Sequence, residues 1–209
     1  MSHAIWLTVD RAVEQIVRPG WFLASGVRVV EREPALDAPL RSAASAMREA
    51  AEQAEVTAAV RQMYKRVGLD PTKTRPSSEA LLRRVRRGGE LPRVNSLVDI
   101  VNWCSLESQL PFGLYDSDRI EGLATLRLGL PDEQYAGIRK ELVHVAGRLT
   151  LADEHGPFGN PTSDSARTMV TLDTTRALVV VFAPAWLPET AVARVVALTE
   201  ERISRYSLR

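Results

Sequence analysis

Cysteine, histidine and lysine are scarce in this 209-residue chain, which has one cysteine and three histidines. The lone thiol, Cys104, excludes an internal disulfide framework and a cysteine-rich zinc site. His3, His144 and His155 lie far apart in sequence, and no metalloprotease-type His-Glu helix occurs. Asp153-Glu154-His155 offers ligand types but runs into Gly156-Pro157 and reads as a polar loop. Neither a metal nor a cofactor is expected. Long apolar runs are missing too. The longest, Ala177–Ala183, has strand length and falls well short of the roughly 18 residues that a membrane span needs. Met1–Asp10 has no basic segment followed by an apolar one, the mark of a secretory signal. A cytoplasmic protein with no membrane partner is the expectation. Also absent are a Walker-type phosphate loop, a dinucleotide glycine fingerprint and a Gly-x-Ser-x-Gly elbow.

Hydrophobic residues make up 45% of the chain and charged ones 25%, which rules out wholesale disorder. The length suits one large domain spanning residues 1–209. The net charge of +1 conceals an uneven distribution. Ten basic and three acidic residues lie between Arg61 and Arg93, a local +7 that leaves −6 elsewhere. Almost every cation is arginine, with lysine only at 65, 73 and 140. Arginine forks onto phosphates, so Arg75, Arg83, Arg84 and Arg87 are candidates for polyanion binding. The plain alternative is a solvated helix face.

Short β-type runs, Trp21–Ala24 and Val27–Val30, open the chain, and Pro34 and Pro39 bracket a loop. Leu40–Val67 has helical spacing and stops at Gly68. A second helix starts at Ser77/Ser78, with serine as cap and Glu79 at the positive end, and stops at Gly88-Gly89. A third runs from Val94 to Gln109 and is broken by Pro111. The remainder reads mostly as strands, at Leu123–Leu128, Leu142–Ala146, Leu149–Ala152, Thr168–Leu172 and Leu178–Phe182. A closing helix covers Glu189–Tyr206. This order is not a regular strand–helix alternation, so it predicts an α+β fold with a mixed, largely antiparallel sheet.

The third helix carries the most information. Val94, Leu97, Val98 and Val101 share an apolar arc with Cys104, which predicts a buried, inert thiol. At about 100° per residue, Asn95, Asp99 and Asn102 fall within another narrow arc. Asparagine and aspartate are poor choices inside helices because they compete for backbone hydrogen bonds. Their stripe implies specific hydrogen-bonding duties, either tying down adjacent turns or lining a polar pocket.

Three segments carry a resemblance: Arg75-Pro-Ser-Ser-Glu-Ala-Leu-Leu; Leu91-Pro-Arg-Val-Asn-Ser-Leu-Val-Asp-Ile-Val-Asn-Trp-Cys-Ser-Leu; and Leu110-Pro-Phe-Gly-Leu-Tyr-Asp-Ser-Asp-Arg-Ile-Glu-Gly. Together they resemble the tRNA-binding and editing module formed by the third and fourth domains of the phenylalanyl-tRNA synthetase β subunit, and more closely its freestanding relatives. The recognisable core runs from about 64 to 181. The resemblance implies a pocket beside the third helix and a protein that binds tRNA or aminoacyl-tRNA. It also implies a trans-acting deacylase that hydrolyses mischarged tRNA. The alternatives are a non-catalytic RNA- or small-ligand-binding module and a regulatory partner of a synthetase. Asn102 matches a pocket asparagine of the family. The family's pocket histidine falls at Gly113, and its pocket glutamate at or near Val180. Ester hydrolysis needs a positioned water and donors for the oxyanion. Asn102, Asp116, Arg167 and Thr168 are the catalytic candidates. Asn95, Asp99, Gly113 and Tyr115 are the substrate-binding ones. The domains of a complete synthetase are missing, so aminoacylation is not expected, and a monomer is.

Overall fold

The structure, a computed structural model, describes residues 7–50, 54–138 and 142–208. Two sheets organise it. The first is antiparallel, in the order β2-β9-β3, with β2 at Val17–Ser25, β9 at Arg176–Pro184 and β3 at Phe112–Asp116. The second is mixed, in the order β1-β4-β7-β8, made of Leu7–Val9, Ala124–Leu128, Leu149–Asp153 and Gly156–Gly159. Its β1–β4 pair is parallel and its other pairs are antiparallel. A small hairpin joins β5 (Gln134–Ala136) to β6 (Leu142–His144). Two 3-10 turns, Pro34–Leu36 and Ser117–Arg119, and five α-helices complete the described elements: α1 (Asp37–Glu49), α2 (Ala54–Arg66), α3 (Ser77–Arg86), α4 (Ser96–Ser108) and α5 (Glu189–Ser207). The fold is α+β, as the element order implies.

The apolar run Ala177–Ala183 becomes the fully buried centre of β9, flanked by strands on both edges. Continuous apolarity, rather than alternation, is what a strand covered on both faces requires. β2 tolerates Pro19 because it is an edge strand, paired only with β9. A Cβ at Gly20 would stand 2.6 Å from Val196 Cγ2 and 2.8 Å from Val192 Cγ1, so α5 seats directly on β2 there.

Several expectations shift. The helical stretch Leu40–Val67 is two helices, because Ala50 turns to extended backbone at the end of α1. α1 starts at Asp37 and takes Pro39 into its first turn, where a missing N–H costs no helical bond. Pro76, not a serine, occupies the N-cap of α3, with no side-chain cap bond. Val27–Val30 forms no strand; Val27 makes one bridge to Leu208, and Val30 exchanges hydrogen bonds with Ser96. Thr168–Leu172 is a loop, its polar groups spent on Asp116 N–H and on the Thr174 hydroxyl.

Strands β3 and β8 escape a propensity reading because both carry glycine. The reason is Tyr115. Its ring lies between the sheets, edge-on to Phe158 with centroids 5.0 Å apart. A Cβ at Gly113 would stand 2.7 Å from Tyr115 Cζ, and one at Gly159 2.6 Å from it. Two glycines on facing strands thus leave room for one buried tyrosine. Gly113→Ala is expected to cost about 1–3 kcal/mol through overpacking, measured by chemical denaturation. A variant as stable as the parent would show that the Tyr115 ring moves freely.

Candidate functional site

The alternation of β3 sorts its residues between two faces. Gly113 and Tyr115 point toward β8. Phe112 and Leu114 point the other way and form one wall of a cleft of about 770 Å³. Helix α4 supplies Val98, Val101, Asn102 and Ser105, with Val94 and Asn95 leading into it. Thr162–Asp164 and Met169–Leu172 form the opposite wall, while Ser77 and Leu81 of α3 reach its edge. The cleft is mostly apolar. Among its described lining residues the only ionisable side chains are the carboxylates of Glu31 and Asp164.

The polar stripe on α4 divides by role. Asn95 is the N-cap residue: its side-chain oxygen accepts the Val98 N–H at 2.9 Å, while part of the residue still reaches the cleft. Asp99 faces away from the cleft. It accepts from Val94 N–H at 2.8 Å and from Arg93 Nε at 2.6 Å, so it holds the segment before the helix. Burial pushes its carboxyl pKa up; the Val94 N–H and the Arg93 guanidinium pull the other way. Asn102 is half-buried and lines the cleft, and no side-chain hydrogen bond to the described residues holds it. Of the three, Asn102 has an amide free to meet a ligand.

The other candidates lie outside the cleft wall. Asp116 accepts from the Thr174 hydroxyl at 2.8 Å and from Asp118 N–H, which pins the turn after β3. Arg167 forks onto Asp153, at 2.9 and 2.8 Å, and donates to Arg119 O. Thr168 is buried, with its hydroxyl toward Phe158 O. Tyr115 is fully buried behind β3, and burial first, then the neighbouring Asp164 carboxylate, raises its pKa. Asp153 is paired with Arg167, and His155 with Glu121 at 2.8 Å. Among the described residues no three His, Cys, Asp or Glu side chains converge as metal ligands. Cys104 is buried on α4 and its thiol pKa is raised by that burial. Val94 and Val98, expected on the same buried arc, face the cleft instead.

The loop walls were not legible as a site. Thr162 and Ser163 carry no motif, and they are held from behind by buried tyrosines. Tyr64 donates to Pro161 O at 3.0 Å, and Tyr135 to Ser163 O at 2.5 Å. Arg75, Arg83, Arg84 and Arg87 do come together, around a shallow recess on the outer side of α3. Arg83, Arg84 and Arg87 are exposed; Arg84 Nε donates to the Glu90 carbonyl at 2.6 Å, and Arg75 is partly engaged by Glu79 at 3.4 Å.

The α+β scaffold thus sets a largely apolar cleft between a capped helix and a loop wall, with an arginine shelf on the outer side of α3. The chain belongs to the B3/4 domain family, whose profile matches residues 59–207. It is 32% identical over 84 residues to the phenylalanine–tRNA ligase β subunit of Dechloromonas aromatica, covering 40% of this chain and 10% of that subunit. Against the corresponding subunit of Idiomarina loihiensis it is 33% identical over 82 residues, 39% of this chain and 10% of the relative. The chain thus spans about a tenth of the length of these curated relatives. Among solved structures, an N-terminal fragment of the phenylalanyl-tRNA synthetase β subunit from Pyrococcus horikoshii matches with a TM-score of 0.50. That match covers 97% of this chain and 49% of the fragment at 13% identity, a likeness of fold. No helix among the described residues is long and apolar enough to cross a membrane.

Proposed function

We propose that this protein binds aminoacyl-tRNA and hydrolyses the ester of mischarged tRNA in trans. The observation that carries the reading is Asn102: an amide without a protein partner, facing a cleft of about 770 Å³ in a B3/4 domain. In the reaction, water attacks the ester carbonyl carbon and the carbon–oxygen bond to the ribose breaks. The ribose oxygen leaves with a proton, giving free amino acid and tRNA. The Asn102 amide donates to the carbonyl oxygen as it gains charge, in a cleft that holds back bulk water. The apolar wall of Val98, Val101, Phe112 and Leu114 receives the amino-acid side chain. Asn95 contributes as the cap that fixes the start of α4, and Asp99 through Arg93. Asp116, Arg167, Thr168, Gly113 and Tyr115 hold the loop and sheet behind the cleft. The test is a deacylation screen over mischarged tRNAs, with turnover of at least one expected. No turnover across the panel would leave the non-catalytic reading. That second reading draws on one observation: Asp116, Arg167 and Thr168 are all engaged in structural hydrogen bonds away from the cleft.

The arginine shelf is the RNA contact of this proposal. Three neutralised phosphates on a single strand give a log–log salt slope of about −2. Charge reversal at Arg83, Arg84 and Arg87 is expected to abolish most of that slope and to weaken many tRNAs alike. Wild-type affinity in the triple variant would return the shelf to the status of a solvated helix face.

A further inference from the structure

Behind the loop wall of the cleft lies a second, smaller cavity of about 40 Å³. It sits where the end of α2, the loop leading to α3, the start of β7 and the loop after β8 meet. The two spaces share Thr162 and Ser163, so these residues form a partition between cleft and cavity. The partition is fixed from the cavity side. Asn160 Oδ1 accepts both of its amides, Thr162 N–H at 2.8 Å and Ser163 N–H at 2.9 Å. Tyr64 donates to Pro161 O, which leaves its oxygen to accept from the Thr162 hydroxyl at 3.0 Å. Charge differs between the two sides. The cleft has only carboxylates among its described ionisable lining residues, whereas the cavity has none and carries a single guanidinium, Arg148. Tyr64 stays neutral, because burial raises its pKa. Arg148 is partly buried and makes no side-chain hydrogen bond or ion pair to the described residues. The Thr74 hydroxyl on the same lining makes none either. Asn160 donates one amide N–H to Tyr135 and has a second to give. The field of Arg148 reaches the partition: burial and the Asp164 carboxylate raise the Tyr135 pKa, and Arg148 opposes them. Tyr135 in turn donates to Ser163 O.

A guanidinium withdrawn from water with no carboxylate beside it is costly. A cavity of this size has room for about three waters, and so for one small ion, but not for a nucleotide. We propose that the cavity binds a small inorganic anion, a halide or a single oxyanion, held by the Arg148 guanidinium, the Thr74 hydroxyl and the Asn160 amide. The bound anion braces the partition, because the same Asn160 side chain accepts the Thr162 and Ser163 amides. The site stands on the cavity alone and is independent of any reaction in the cleft.

The experiment melts the full chain in sodium gluconate, whose anion is too large for the cavity. Sodium chloride or sodium phosphate then replaces it stepwise at constant ionic strength, so that screening stays fixed. Above half-saturation the melting temperature is expected to rise by about 3–6 °C for each tenfold increase in the anion that binds. Amide hydrogen exchange at Thr162 and Ser163 is expected to slow over the same range. A response to chloride supports a halide site, and a response to phosphate alone an oxyanion site. Arg148→Met is expected to abolish both effects. Thr74→Val keeps the charge and covers the case in which Arg148→Met does not fold; it is expected to move the titration to about tenfold higher anion, the worth of one hydrogen bond to a charged group. Charge reversal at Arg83, Arg84 and Arg87, which line no part of the cavity, is expected to leave the titration unchanged. No response to either anion overturns the site, and so does a wild-type titration in either cavity variant. Loss of the response on reversing the shelf overturns it in favour of the shelf. A rise in melting temperature without slowed exchange at Thr162 and Ser163 places the anion elsewhere and overturns it too.

Discussion

Asn102→Ala is expected to lower turnover of a mischarged tRNA ester by about 100- to 1,000-fold, the usual worth of one oxyanion-directed donor. The same substitution is expected to leave stability within about 0.5 kcal/mol of the parent, because the half-buried Asn102 amide faces the cleft and its loss orphans no partner. Both halves follow from geometry. The Asn102 amide makes no side-chain hydrogen bond to the described residues, so truncation strands nothing inside the protein. Alanine is also the better helix former. Asn102→Asp sharpens the test, since it keeps size and loses the donor; it should be as inactive as alanine. Melting temperature and single-turnover deacylation on the two variants decide the matter. A destabilised protein with proportionate residual activity would take Asn102 out of the site.

The helix positions and the central strand were readable because local chemistry and tertiary role agree there. The closing helix, expected over Glu189–Tyr206, is α5, and the apolar run Ala177–Ala183 is the buried strand β9. Tyr115 shows where agreement fails. Its ring demands glycine on two strands far apart in sequence, so β3 and β8 carry residues that weaken the strand signal. The stripe on α4 shows a different limit. Periodicity places Asn95, Asp99 and Asn102 on one side of a helix, but each meets a different neighbour. Asn95 could have been separated in advance, since a short polar residue just before an apolar helical run is a cap signal. The bonds from Arg93 to Asp99 and to Asp37 cross from a loop to two helices, and no spacing rule announces them. The cleft wall at Met169–Leu172 was misread as a strand for the converse reason. Its residues have β character, yet its hydrogen bonds go to turns. Sequence therefore located the helix that lines the cleft but not the loop that closes it.

Arg93 ties the structure together at the point where the cleft begins. Its Nε donates to Asp99, whose side chain has no exposed surface, and its other nitrogens reach Asp37 and the Glu33 carbonyl. Breaking this arrangement from one side leaves a buried charge without its partner. Arg93→Ala is therefore expected to cost about 3–5 kcal/mol. Asp99→Leu alone should also destabilise, because the Val94 N–H loses its acceptor and Arg93 loses one of its three, keeping Asp37 and the Glu33 carbonyl. Arg93→Met combined with Asp99→Leu should recover a large part of the loss, since an apolar pair of similar volume carries no charge to desolvate. The dependence on pH separates this account from lost packing. Burial raises the pKa of Asp99 above its ordinary 3.8, and Arg93 opposes that rise. With Arg93 present the pKa is already raised; in Arg93→Ala the opposition is gone, so the folded variant holds the Asp99 proton more tightly still. Stability then falls as pH rises above the unfolded value. The deficit of the variant should be smallest near pH 4 and below, and should grow toward neutrality. Urea denaturation across that range measures it. A deficit that is flat with pH, or below about 1 kcal/mol at neutrality, would mean that Asp99 is neutral in the parent and that Arg93 serves Asp37 alone.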